Sequence, residues 1–140
     1  MTPKEKVLEA VKDGWVEFIR LQFTDLYGNL KNIEVPVNQI QKVLDNEIMF
    51  DGSSIDGFTS IDCSDLYLVP DLSTWAVFPR SMEGEARVGR FICDIYQPNG
   101  EPFSGDPRYI LKKNLEKMRD FQCQFVVGPE PEFFLFERLC

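Results

Sequence analysis

Apolar positions along the chain switch between two periods, and each switch marks an element. Val7, Leu8, Ala10 and Val11 fall broadly on one helical face. Thr2-Pro3-Lys4-Glu5 ahead of them has the form of a capping box with Pro at N1, so a first helix is predicted, ended by Gly14. From Trp15 to Phe23 the pattern becomes alternation: Trp15, Ile19, Leu21 and Phe23 share one face with Glu17 as the exception, while Arg20 and Gln22 take the other. That is the signature of a half-buried strand. Asp25-Leu26-Tyr27-Gly28-Asn29 reads as a turn, and Leu30 to Val35 as the returning arm of a hairpin. Pro36 opens a second helix with a stripe of Val37, Ile40, Val43 and Leu44. Ile48-Met49-Phe50 is a short strand, and Asp65 to Val69, Thr74 to Phe78 and Val88 to Tyr96 are three more, bounded by Pro70-Asp71 and Pro79.

Between Gln97 and Pro107, three prolines, two glycines and an asparagine crowd together, which signals a boundary. Asp106 as N-cap and Pro107 at N1 then predict a third helix with a stripe of Ile110, Leu111, Leu115 and Met118, running to about Phe121. Phe125-Val126-Val127 and Glu132 to Phe136 read as strands. A strand carrying Phe133, Phe134, Leu135 and Phe136 at a chain end leaves an aggregation-prone edge unless something pairs with it, so the polypeptide is expected to be a fragment.

Charge narrows the function classes. The 140 residues hold 15 Lys+Arg against 23 Asp+Glu, a net charge of −8, and no His. Without His there is no Ser-His-Asp triad, Cys-His dyad or HExxH zinc site in this polypeptide. A pI near 4.6 and the lack of a Lys/Arg-rich run argue against nucleic acid and against an anionic membrane surface. Apolar runs are far shorter than the roughly 20 residues that span a bilayer, and the charged start of the chain lacks a secretory h-region, so a cytoplasmic location is expected. Cys63, Cys93, Cys123 and Cys140 are widely spaced with no CxxC pair; they read as reduced thiols, with two disulfides as the alternative.

Two stretches concentrate polar groups that a core does not request. In Asp51-Gly52-Ser53-Ser54-Ile55-Asp56-Gly57-Phe58, a carboxylate at a strand end is placed to act as a base or to bind a cation; alternatively, Asp51 and the serines satisfy backbone N–H groups of a turn. In Gly128-Pro129-Glu130-Pro131-Glu132, an extended backbone would put Glu130 and Glu132 on one face. Paired carboxylates repel unless a cation sits between them, and hard oxygen donors suit Mg²⁺ or Mn²⁺; alternatively, both are solvated on an exposed edge. Asp25, Asp62, Asp65, Arg87, Arg90 and Arg108 are further charged candidates, read mainly as solvated surface.

Together these stretches resemble one family, the type I glutamine synthetases of bacteria and archaea, in the style of the Gram-positive and archaeal branch. The residues that carry the resemblance are Phe23-Thr24-Asp25-Leu26-Tyr27-Gly28 with Lys31, Phe50 through Phe58, and Ser64-Asp65-Leu66-Tyr67 with Pro70-Asp71. Cys93-Asp94-Ile95-Tyr96, Gly105-Asp106-Pro107-Arg108 and Gly128 through Phe134 follow in family order. The resemblance implies an α+β chain: a β-grasp (ubiquitin-like) N-terminal domain over residues 1–99, then the truncated start of the catalytic α/β domain over 100–140. It implies ATP-dependent ligation of ammonia to glutamate through γ-glutamyl phosphate, with Mg²⁺ or Mn²⁺, in a homo-oligomer expected to be a dodecamer whose active sites are shared between subunits. By the same resemblance Asp51 binds and deprotonates ammonium, Asp65 lies near the ammonium site, Phe58 lies near the nucleotide, and Glu130 and Glu132 are metal ligands. Ser60 stands where feedback-sensitive members have an arginine, a departure that bears on glutamine feedback through that position. Gly89 replaces a more usual alanine, read as a minor packing change. The family's other metal ligands and its nucleotide pocket fall after the last residue here, so the chain alone is expected to be inactive. Two other readings stand beside this one: a free-standing β-grasp interaction or regulatory module, and a ligase that γ-glutamylates polyamines.

Overall fold

The computed structural model describes residues 2–12, 14–79 and 86–137. Helix α1 (Pro3–Lys12) starts in the reciprocal cap that its sequence predicts. The Thr2 N–H donates to Glu5 Oε2 at 2.8 Å and the Glu5 N–H to Thr2 Oγ1 at 3.2 Å, satisfying two of the amides that a helix start leaves free. Strands β1 (Phe18–Thr24) and β2 (Leu30–Pro36) form the hairpin, in register from Phe18 opposite Pro36 to Thr24 opposite Leu30. Because β2 keeps Pro36, α2 (Ile40–Leu44) begins later than the Pro36 signal predicts, after a single 3-10 turn at Val37–Gln39. Of its expected stripe Val43 is fully buried, while Val37 and Ile40 pack on the rim of the core.

Strands β3 (Ile48–Asp51), β4 (Asp65–Val77) and β5 (Val88–Tyr96) complete a five-stranded sheet of order β2-β1-β5-β4-β3. β1 and β5 run parallel at its centre and the other pairs are antiparallel. This is the α+β arrangement expected of a β-grasp unit. Alternation puts Ile19, Leu21 and Phe23, Ile48 and Phe50, Leu66 and Leu68, and Phe91, Cys93 and Ile95 on one face, where they form the core with Val7 and Val43. Leu21 lies opposite Phe91, and Leu68 opposite both Ile95 and Ile48, so the core is a set of cross-strand pairs.

Several expectations need correction. Trp15 is 58% exposed, with the Arg87 guanidinium 4.1 Å above its ring; β1 starts only at Phe18, so alternation does not reach back to Trp15, and Val16 fills the buried place. The two strands predicted across 65–78 are one, β4, with a register shift between Asp71 and Ala76. At the shift the Thr74 hydroxyl takes the place of a backbone acceptor for the Ile92 N–H, at 2.8 Å, and Asp71 accepts from the Ser73 N–H and hydroxyl at 3.0 and 2.6 Å. Asp25 is not surface charge: it is 3% exposed and closes the hairpin turn, accepting N–H groups of Tyr27 and Asn29 at 2.9 and 2.8 Å, with Lys31 at 3.4 Å.

Helix α3 (Pro107–Asp120) forms as predicted, but Ile110, Leu111 and Leu115 on its stripe are exposed. The strands expected at 125–127 and 132–136 do not form, and Phe133 to Phe136 are each at least three-quarters exposed. A strand exists only with a backbone partner, and among the described residues nothing pairs with this stretch. Cys63, Cys93 and Cys123 are free thiols, Cys93 being buried; Cys140 lies outside the described residues.

Candidate functional site

Asp51 is the last residue of β3 and stands opposite Asp65, the first residue of β4; the Gly52 N–H donates to the Ser64 carbonyl at 2.7 Å just beyond the pair. Ile48, Phe50, Leu66 and Leu68 bury the core face, so alternation sends Asp51 and Asp65 together to the other face, where both are exposed. Residues directly opposite in an antiparallel pair have Cβ atoms about 4.5–5.5 Å apart. Two negative charges that close favour a cation between or beside them.

Asp51 also caps the 3-10 turn Gly52–Ser54. Its carboxylate accepts the Ser53 hydroxyl at 2.6 Å, the Ser53 N–H at 2.9 Å and the Ser54 hydroxyl at 3.1 Å. The turn reading and the site reading of this loop therefore describe one arrangement. Those donors, the Ser53 hydroxyl foremost, hold the Asp51 carboxyl below the usual carboxylate range and keep it ionised. Gly52 is required by close approach: a Cβ there would stand 2.6 Å from a Leu66 methyl and 2.8 Å from the Thr59 hydroxyl.

Phe58, at the far end of the loop, turns inward. It is 8% exposed, with its ring 6.2 Å from that of Phe23 and 5.4 Å from that of Phe103. It anchors the loop in the core. Asp65 lines a cleft of about 420 Å³ together with Thr59, Asp62, Cys63 and Ser64 and with Gln97, Pro98 and Asn99.

Glu130 and Glu132 are exposed, on backbone that is neither helix nor strand. No paired strand holds them in line, and among the described residues no three His, Cys, Asp or Glu side chains converge to hold a metal ion. Their oxygen donors suit a hard divalent cation in kind but not in number, because such an ion takes about six ligands. The structure thus brings Asp51 and Asp65 side by side across the β3–β4 pair, and neither glutamate belongs to a cluster of three possible metal ligands among the described residues.

What the residue pattern missed is a second polar cluster, centred on Asp106 and Arg108. Asp106 is 1% exposed and burial raises its carboxyl, although N–H donors of Ile95 and Arg108 pull the other way. Arg108 joins Asp94 of β5, at 2.8 Å, and Asp71 of β4; Lys112 joins Asp94 at 2.6 Å. The Asp-Pro pair announced a helix cap, but the carboxylate partners of Arg108 are 14 and 37 residues away and left no local signal.

The family model described as glutamine synthetase, β-grasp domain, matches residues 15–98. The chain belongs to the glutamine synthetase family. A second model, of the glutamine synthetase catalytic domain, matches residues 104–139. The glutamine synthetase of Staphylococcus aureus strain Mu50 is 54% identical over 135 residues, covering 96% of this chain and 30% of that protein. The chain thus spans about a third of the length of such relatives and corresponds to the N-terminal portion of a glutamine synthetase. Among solved structures, the Plasmodium falciparum glutamine synthetase matches with a TM-score of 0.72 and 27% identity, over 86% of this chain and 23% of that one. A complex of GmaS with ADP matches with a TM-score of 0.68 and 25% identity, over 81% and 25% of the two chains. No helix among the described residues is long and apolar enough to cross a membrane.

Proposed function

We propose that the polypeptide carrying this chain joins ammonia to glutamate at the expense of ATP, that Asp51 with Asp65 draws the ammonium ion to the reaction, and that the chain by itself is inactive. The observation that carries this reading is the pair of exposed carboxylates at the β3–β4 start, one of them held ionised by three hydrogen bonds. A carboxylate kept below its usual range is a weak base but a lasting cation partner. Asp51 and Asp65 side by side suit a small monovalent cation, whose four N–H bonds can be shared between acceptors, and with ammonium held there a proton can pass to Asp51 as the amine attacks. Residues 1–99 form the β-grasp part and 100–140 open the catalytic part.

Glu130 and Glu132 supply oxygen donors toward Mg²⁺ or Mn²⁺, which in phosphoryl transfer neutralises charge on the transferring group. They require further ligands from outside this chain. The likeness to a GmaS bound to ADP favours an adenine nucleotide as co-substrate. Assembly as a homo-oligomer with shared sites, and a cytoplasmic location, belong to the same reading.

The test is a chimera in which this chain replaces the matching 30% of the Staphylococcus aureus enzyme. ATP- and Mg²⁺-dependent glutamine formation is expected, and Asp51→Ala should lower it by about 10²–10⁴, the usual weight of a positioned proton-transfer group, with ATP binding kept. An assembled chimera that makes no glutamine refutes the reading, and undiminished turnover in Asp51→Ala refutes the role of Asp51. Faster turnover with a polyamine than with ammonia would move the assignment to the ligase that γ-glutamylates polyamines.

A further inference from the structure

Pairing between β1 and β5 ends at Ile92, which leaves the last turns of β5 without a strand on that side. The segment after the predicted boundary takes the empty place. Pro102 bridges Tyr96, the Phe103 N–H donates to the Ile95 carbonyl at 2.8 Å, and the Ile95 N–H donates to Asp106 Oδ2 at 3.0 Å. The other oxygen of the same carboxylate accepts the Arg108 N–H at 2.9 Å and so starts α3. One buried side chain therefore ends a strand and begins a helix. Arg108 then reaches back over the sheet face opposite the core, to Asp94 and Asp71 on two different strands. A planar guanidinium that spans two carboxylates fixes direction as well as distance. On the core side Phe103, 8% exposed, stacks against Phe58, which is the inner anchor of the Asp51 loop.

We infer that Phe103, Asp106 and Arg108 form a rigid joint, and that Arg108 is a positioning residue which holds the Asp51 loop and α3 in one fixed relation. The composition of residues 97–107 signals a boundary, yet the segment is tied to β5 by its backbone and to the core by Phe103, and Arg108 just after it grips the opposite sheet face. The joint itself is a property of this chain. Its consequence for catalysis rests on the proposed function: if Asp51 serves a centre built by the catalytic part, the angle set at Arg108 decides whether its carboxylate reaches that centre.

The experiment measures amide hydrogen exchange and residual dipolar couplings on the 140-residue chain. In the unaltered chain the couplings of α3 and of the five strands should fit one alignment, with the Ile95 amide protected. Arg108→Met should take α3 out of that common alignment while β1 and β2 keep their protection, and Arg108→Lys should restore it only in part. Asp106→Asn should cut Ile95 protection about tenfold or more, as loss of a charge-assisted acceptor requires. An α3 that tumbles separately in the unaltered chain, or that keeps its alignment in Arg108→Met, overturns the joint. In the chimera, Arg108→Met should raise KM for ammonium several-fold with KM for ATP unchanged; equal losses in both, or in neither, overturn the positioning role. An inactive unaltered chimera with an intact common alignment counts against the proposed function and not against the joint.

Discussion

The five-stranded sheet and residues 121–137 both carry many large apolar side chains, and these meet different fates. In the first region the apolar residues of the strands meet cross-strand partners: Phe91 is fully buried, packed against Trp75 with ring centroids 4.7 Å apart and opposite Leu21. In the second, Phe133 to Phe136 are as apolar as any strand and stay exposed, with no regular backbone. Hydrophobicity does not make a strand by itself. It stabilises one only where backbone donors and acceptors find partners and a second layer covers the face.

The sharpest way to break this comparison is to truncate one phenylalanine from each region. Phe91→Ala should cost about 3–5 kcal/mol in urea unfolding, and Phe134→Ala should change stability by about 0.5 kcal/mol or less. A comparable cost at Phe134 would mean that the second region packs in solution. A smaller effect sharpens the comparison inside the sheet. A Cβ at Gly89 would fall 2.1 Å from the Trp75 ring, so Gly89→Ala should destabilise by about 1–3 kcal/mol through overpacking, and adding Trp75→Phe should recover much of the loss. Gly89 is thus the partner of a large ring and more than a minor packing change. Additive losses in the double variant would show that the two sites do not share that space.

These contrasts explain how far the sequence could be read. The caps of α1 and α3 and the turn of the β1–β2 hairpin rest on interactions within a few residues, and β3 and β5 announce themselves by apolar or alternating runs although their partners are distant, so each was legible in the residue pattern. The merger of two strands into β4 was not, because Pro70-Asp71 looks like a stop while the repair comes from Thr74 pairing with Ile92, 18 residues away. Nor was the exposure of Trp15, since Arg87 meets it only after β5 aligns with β1. At the candidate site, the Asp51 loop was visible as a cluster of polar residues after a strand. Its neighbour Asp65 carried no signal of its own beyond the family resemblance, because only the β3–β4 register sets the two side by side.

Acid titration gives the smallest and most selective test, because four carboxyls, Asp25, Asp51, Asp71 and Asp106, are shifted in opposite directions. Asp51 and Asp71 are held down, each chiefly by a serine hydroxyl, and at Asp25 burial pushes upward but the donors of Asn29, Tyr27 and Lys31 outweigh it. A carboxyl held below its ordinary value of 3.8 contributes stability above that pH and loses it as pH falls through the folded-state value. Asp106 runs the other way. Burial raises it, so the stability linked to its protonation is complete below 3.8 and is lost as pH rises through its folded-state value. The urea midpoint should therefore rise slightly as pH is lowered toward 3.8 and then fall below it. Asp106→Asn, which cannot titrate, should erase the rise and leave the fall, whereas Asp51→Asn should soften the fall and leave the rise. If both variants keep the full profile, other carboxyls set the response to pH, and neither Asp51 nor the buried carboxylate at the start of α3 is felt in the folding equilibrium.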